Sequence, residues 1–437
     1  MSESLGHKAP IGPSAVEAGQ AEAGRLADFP PQPAGAAGRL LAALRAAGTT
    51  RIHADTADAQ ELAALRSAGG SPLLGALDGS AATQPLVREV LGRYLERGSP
   101  QEWARGLQHL WGDRPPSHWI PSIYTLLCAQ LAEDVLQAVD PSRPWEVGVQ
   151  LHTGLERDPE AARSVGRALY EMVPSVLVTL PFSPHAPDCL LVARDLARAG
   201  IPVGFTSIFS VRQAVAAGLL ANAARVHVSV GRLNRGLGTA LLGERVVLHS
   251  QQALRRLRGQ TGLGARLVVT GMQDWQAFVR LAGCDIFRAP CAVIRDFLTQ
   301  AEVPAGEIRS QPESAYEGQV RIEDRVIRAL GAGRIERLGR IEPDFIDFLL
   351  ELRASGLAAT LRSGDDLVRR FEMAGFSDFF HAPTPGEWAA LRRGTLPDLS
   401  APLTRQLALD TLYSLLADAE AGMRQEAMDR EIARRMA

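Results

Sequence analysis

The sequence predicts an α/β fold: a (β/α)8 barrel of the TIM type with a helical C-terminal extension. Two observations carry that expectation. Between about residues 38 and 300, eight short β-like runs alternate with longer helical patterns. After about residue 300 the strand pattern stops and amphipathic helical spacing takes over. Parallel strands need long crossovers, and eight strand–helix units close naturally into a barrel. A doubly wound open sheet is the competing architecture, but the order and number of the runs favour closure.

Residues 1–36 contain APIGPSAVEAG and FPPQPAGAAG, which are rich in helix breakers and poor in aromatics, and read as a disordered tail. Order is expected from near Gly38, where Leu40, Leu41 and Leu44 have helical spacing. The strand runs are RIHAD (51–55), PLLGAL (72–77), EVGVQLH (146–152), SVLVTLP (175–181), IPVGFTSI (201–208), RVHVSV (225–230), ARLVVTGM (265–272) and DIFRAP (285–290). Segments such as PLVREVLGRYLERG and IYTLLCAQLAEDVLQAV supply the helical returns. The barrel is therefore assigned to 37–300 and the extension to 301–437. Within the extension, PDFIDFLLELRASG and the segment from LTRQLALD to the end have amphipathic spacing. They are expected to pack on the barrel or on a partner subunit.

Composition narrows the function. An apolar fraction of 46% can fill a sizeable core, and a formal net charge of −2 with interspersed signs offers no basic stripe for nucleic acid. No apolar run approaches the roughly 18–20 residues that cross a bilayer, so no membrane partner is expected. The opening lacks the order of a secretory signal, which makes a cytoplasmic protein the expectation. Cys128, Cys189, Cys284 and Cys291 lack zinc-type spacing and should be reduced and buried. One feature decides more. The only lysine is Lys8, in the Pro-, Gly- and Ala-rich opening. Arginine carries the remaining basic charge, stays protonated, and does not serve as a Schiff-base amine.

The runs contain landmarks of a known family. HADTAD (53–58) is similar to the first strand of transaldolases, and LDGSAATQP (77–85) resembles their second-strand loop. EVGVQL, SVLVTLP and VGFTSIFSVRQA resemble the third-, fourth- and fifth-strand motifs, and VSVGRL (228–233) the turn after strand six. The landmarks fall in family order across 38–300. The extension matches none of them.

The resemblance implies a reaction that begins with a strand-four lysine attacking a ketose phosphate. Thr179 stands at that position and cannot form the imine. Gln150, which does not titrate, replaces the acid/base glutamate, and Gln84 replaces the loop asparagine. Gly204 replaces a strand-five asparagine, and His227 and Ser229 replace a strand-six serine and phenylalanine. The strand-seven phosphate contact falls near Gly271 and Gln273. Asp55, Thr206 and Arg232 are retained. The resemblance further implies a homodimer, with the last helix as a candidate contact.

Strand alternation puts residues two apart on one face. His53 should then face inward with Asp55, His152 with Gln150, and His227 with Ser229. Three readings compete. In the first, a lysine-independent enzyme acts on a carbonyl-bearing, sugar-derived or anionic small molecule and needs no cofactor. There Asp55 with His227 or His152 is the acid/base pair, Gln150 and Thr206 orient, and Arg232 grips an anionic group. Gln84, Thr179, Ser229 and His53 line that pocket. In the second, His53, Asp55, His152 and His227 hold a divalent metal, although no HxH or HxxxH spacing supports it. In the third, the barrel is a catalytically silent binding or scaffold protein. Each histidine can equally be a satisfied polar residue of a barrel layer, Asp55 a helix N-cap, and Arg232 half of a surface salt bridge. His109, His118, His185 and His249 are given no role. The first reading is the expectation.

Overall fold

The computed structural model describes residues 35–67, 73–97, 119–139, 144–300, 303–312, 320–355, 360–394 and 397–436. The N-terminal tail with Lys8, and His109 and His118, lie outside the described residues.

Eight parallel strands form a closed barrel. They are β1 (Arg51–Ala54), β2 (Gly79–Ala82), β3 (Glu146–Gln150), β4 (Val176–Pro181), β5 (Val203–Ile208), β6 (Arg225–Ser229), β7 (Arg266–Thr270) and β8 (Ile286–Ala289). The ring closes where Arg51 pairs with Ile286 and Ala54 with Ala289. Outward-facing Ile52, Val147, Val149, Val178, Phe205, Val226, Leu267, Val269 and Phe287 are buried beneath the helices. Their alternation with polar interior residues leaves the polar set inside the barrel.

The second strand is not where the apolar run placed it. Leu73–Ala76 forms a single 3-10 turn, and β2 is the run of small residues Gly79–Ala82. Sterics explain the choice. A Cβ on Gly79 would lie 2.6 Å from the Glu146 carbonyl oxygen and 3.0 Å from the His53 ring. Only a minimal side chain fits beside that histidine.

Side-chain caps start several helical returns. Asp158 accepts from the Ala161 amide ahead of Pro159–Met172, and Ser210 accepts from the Gln213 amide ahead of Val211–Ala221. Asn222, in the left-handed region, ends the latter. All four cysteines are free and buried.

Among its described residues the extension is mainly helical, and Arg321–Ile322 pairs antiparallel with Thr239–Ala240. Its core is aromatic. Phe345, Phe371, Phe376 and Phe379 pack ring on ring, and Phe379 meets Phe182, just after β4, at 5.5 Å. The extension is thereby seated on the barrel. From that seat the last helix, Leu409–Met436, crosses the C-terminal ends of the strands. Tyr413 packs on Phe209 at 5.4 Å. One face of this helix thus packs on the barrel of its own chain, as expected of the extension. Among the described residues, no helix is long and apolar enough to cross a membrane.

Candidate active site

The barrel interior is built in polar layers. At the N-terminal end, Arg225 of β6 reaches across to Glu146 of β3, with Nε–Oε1 at 3.2 Å and Nη2–Oε2 at 2.6 Å. Burial alone would raise the Glu146 carboxyl, but Arg225, with His53 and Arg51, holds it below its ordinary value. His53 Nδ1 lies 3.9 Å from the same carboxylate. One layer up, alternation brings in His227, two residues beyond Arg225, and Arg288, two beyond Ile286. Gly204 on β5 makes room for the new imidazole, since a Cβ there would lie 3.1 Å from His227 Nε2. The same Cβ would lie 3.0 Å from Leu177 Cδ2, so glycine on β5 leaves room for both side chains.

Both interior histidines are neutral near pH 7. Burial pushes His53 down to about 4, opposed by Glu146 and reinforced by Arg225, Arg51 and Arg288. Burial also holds His227 well below its usual value, with Arg288, His53 and Arg225 adding to the effect. Neither ring nitrogen of His227 has a hydrogen-bond partner among the described residues, nor does Nε2 of His53. Such groups are costly to leave unmade and available to a polar ligand.

The expected Asp55–histidine pair does not form. Asp55 Oδ1 instead contacts Arg288 Nε at 3.3 Å. Nor is Asp55 a cap, because Asp58 accepts from the Gln60 amide at the start of Ala59–Ser67. The interior hydroxyls turn onto strand carbonyls: Thr179 to Leu177 at 3.3 Å, Thr206 to Leu180 at 3.4 Å, and Thr270 to Val228 at 3.3 Å. Thr179 is therefore short, buried and satisfied by its own strand. Gln150 is buried on the same layer, and Ser229 stands at the start of Val230–Leu237.

His152 corrects a second expectation. It lies beyond β3 and caps Thr153–Arg157, its Nδ1 accepting from the Gly154 amide at 3.0 Å. Nε2 therefore carries the proton and donates to Asp429 Oδ1 at 2.9 Å. With both nitrogens engaged, it is not an inward-facing base.

The other rim residues also meet the last helix. Gln84 Nε2 donates to Gln425 Oε1 at 2.8 Å, and Gln425 Nε2 to Asp429 Oδ1 at 3.0 Å. Arg232 is ion-paired to Glu420, which Arg424 also contacts, and its guanidinium lies 6.0 Å from the Phe209 ring centre. Asp410 accepts from Ser210 at 2.6 Å and binds Arg212 through both oxygens at 2.6 and 2.8 Å. Ser207, at φ 60°, breaks the β5–β6 register and turns its carbonyl to accept from Ser414 Oγ at 2.8 Å. A non-glycine residue in that region costs about 1–2 kcal/mol, so the rim is locally strained where the helix binds.

The sequence reading missed one rim cluster. His185 Nδ1 lies 2.8 Å from Ser183 Oγ and 3.5 Å from Asp418 Oδ2, and its Nε2 lies 3.6 Å from Glu156 Oε2. Burial and then the charge of Asp418 push Glu156 well above the carboxylate range. Burial also raises Asp418, against His185, Ser183 and Arg232. Both carboxyls of this buried pair therefore hold a proton more readily than an exposed carboxylate does. The four residues proposed as metal ligands do not converge: His152 faces the last helix while His53 and His227 lie inside the barrel. Among the described residues, no three His, Cys, Asp or Glu side chains are arranged to hold one metal ion.

No curated protein matches the chain. The family model described as Transaldolase/Fructose-6-phosphate aldolase matches residues 83–333, more than half of the chain and the greater part of the barrel. The order of landmarks along the strands and the closed (β/α)8 topology agree with that match, and the chain belongs to the transaldolase/fructose-6-phosphate aldolase family.

Proposed function

We propose that this chain binds a small, polar, sugar-derived molecule in its barrel without Schiff-base aldol transfer, and that its last helix occupies the rim in place of an anionic group. The ion pair between Arg232 and Glu420 carries this reading. The guanidinium retained for an anion is already held by a carboxylate of the same chain. Thr179 at the lysine position and Gln150 at the glutamate position support it further, since neither can form an imine or titrate.

The silent-binding alternative thereby moves ahead of the acid/base enzyme. Asp55 is taken by Arg288, His152 has both nitrogens engaged, and His53 and His227 are held neutral. A neutral imidazole still donates to a carbonyl or hydroxyl, which suits ligand recognition. Interior charges cancel in pairs, Arg225 with Glu146 and Arg288 with Asp55. A ligand beneath the closed helix is therefore uncharged or weakly charged, and a sugar phosphate requires Glu420 to release Arg232.

The test is borohydride reduction of the full chain with fructose 6-phosphate, read by mass spectrometry, beside a transfer assay. Neither adduct nor transfer is expected, and either one contradicts the proposal. Thermal shifts with unphosphorylated ketoses and keto acids test the binding half. A shift lost in His227→Asn is expected, and no shift with any of them overturns it.

A second reading, an acid/base enzyme with a closing lid, is favoured by the Glu156–Asp418 pair beside His185, whose carboxyls are both raised by burial. It predicts solvent-deuterium exchange at the carbon next to a ketose carbonyl, abolished by Asp418→Asn.

A further inference from the structure

Beside the rim contact of Arg212 with Asp410, a cleft of about 470 Å³ opens between the helix Val211–Ala221 and the extension. That volume is within the range of small-molecule sites and too small for a folded partner. Its walls carry Arg212, Arg334, Arg337 and Arg405, against Asp378, Asp410 and Glu342. Arg212 is fully engaged. It binds Asp378 through both oxygens at 3.0 Å and Asp410 at 2.6 and 2.8 Å.

The other three arginines differ. Arg334 donates through Nη2 to the carbonyls of Thr404, at 2.8 Å, and Leu407. Among the described residues, no carboxylate is ion-paired to Arg334, Arg337 or Arg405. Burial and then the charge of Arg337 lower the Arg334 guanidinium below its ordinary value, as expected of like charges with no anion between them. Leu338, Phe376 and Leu407 supply an apolar wall next to these cations. Glu342 is the one wall carboxylate that Arg212 does not neutralise.

We propose that this cleft is a binding site for a small phosphorylated metabolite, its phosphate held by Arg334, Arg337 and Arg405 and its organic body against Leu338, Phe376 and Leu407. Guanidinium forks match phosphate oxygens bidentately, and three of them outweigh the single carboxylate of Glu342. The site also touches the root of the last helix. Leu407, Leu409 and Asp410 line the cleft, and Leu409 and Asp410 open the helix. An occupant bridging Arg334 and Arg405 braces that junction and favours the closed rim.

The test is calorimetric titration of the full chain with inorganic pyrophosphate. Arg337→Ala with Arg405→Ala is the variant, since both side chains are exposed and should leave the fold intact. Arg232→Ala separates this site from the barrel rim. Saturable binding that weakens about tenfold or more in the double variant and is unchanged by Arg232→Ala is expected. No binding, or binding removed by Arg232→Ala and kept by the double variant, overturns the proposal. Protection of residues 405–415 from hydrogen exchange on adding pyrophosphate checks the link to the helix. Unchanged exchange there overturns that link.

Discussion

Glu420, in the last helix, is ion-paired to Arg232 at the rim beyond β6. Three neighbouring contacts repeat the pattern: Gln425 on Gln84, Asp429 on His152, and Ser414 on the Ser207 carbonyl. These four rim groups are met by one helix of the same chain.

Gly236 tests that docking directly. A Cβ there would lie 2.1 Å from Tyr413 Oη, and the Tyr413 ring is fully buried. Gly236→Ala should push the helix off the rim at a cost of about 1–3 kcal/mol, as overpacking of a rigid contact does. Limited proteolysis should then cut within 409–436 while the barrel stays intact. Unchanged proteolysis would show that the contact yields without moving the helix.

The Gly204–His227 pair predicts coupling. Gly204→Asn should cost about 1–3 kcal/mol by crowding the imidazole and Leu177, and less when His227 is also changed to Ser. A double-mutant cycle by urea unfolding measures this. Additive costs would mean that the imidazole does not limit what position 204 can hold.

Protonation of the barrel histidines sets an acid limit. The folded value of His53 falls from 6.5 to about 4, and that of His227 is lower than usual. Depressed histidines stabilise above the unfolded value, and that contribution is lost as pH falls from about 6.5 towards 4. The His53 shift alone corresponds to about 3 kcal/mol. His53→Asn should flatten stability across this window, measured by urea midpoints between pH 4 and 7.

Glu156 and Asp418 act with the opposite sign. Their raised folded values mean that the stabilisation is complete below the ordinary carboxylate range and fades as pH rises through the raised values. Hydrogen exchange in the last helix should therefore quicken on going from about pH 5 to 8 beyond the intrinsic amide rate. Asp418→Asn, which mimics the protonated form, should remove that dependence.

Much of the barrel was legible because outward apolar and inward polar residues alternate along its strands. β2 was the exception. Its four small residues carry no hydrophobic signal, and their selection by His53 and the Glu146 carbonyl is a contact across strands. The same alternation that pointed to His53 and His227 also reaches Glu146, Arg225 and Arg288, which the reading passed over. His152 misled because the strand ends two residues before it. The rim partners were not legible. Asp410, Ser414, Asp418, Gln425 and Asp429 recur at spacings of four and seven, a polar seam on one helix face, but nothing in the sequence says which surface that seam meets.

The central claim, that the last helix holds the rim's anion subsite, is tested most directly by titrating fructose 6-phosphate calorimetrically into wild type, Glu420→Gln and Arg232→Ala. Freeing Arg232 should tighten binding by roughly tenfold in Glu420→Gln, and Arg232→Ala should bind no more tightly than wild type. Equal affinity in all three proteins would contradict the account, because neither Arg232 nor its partner would then govern access to the barrel.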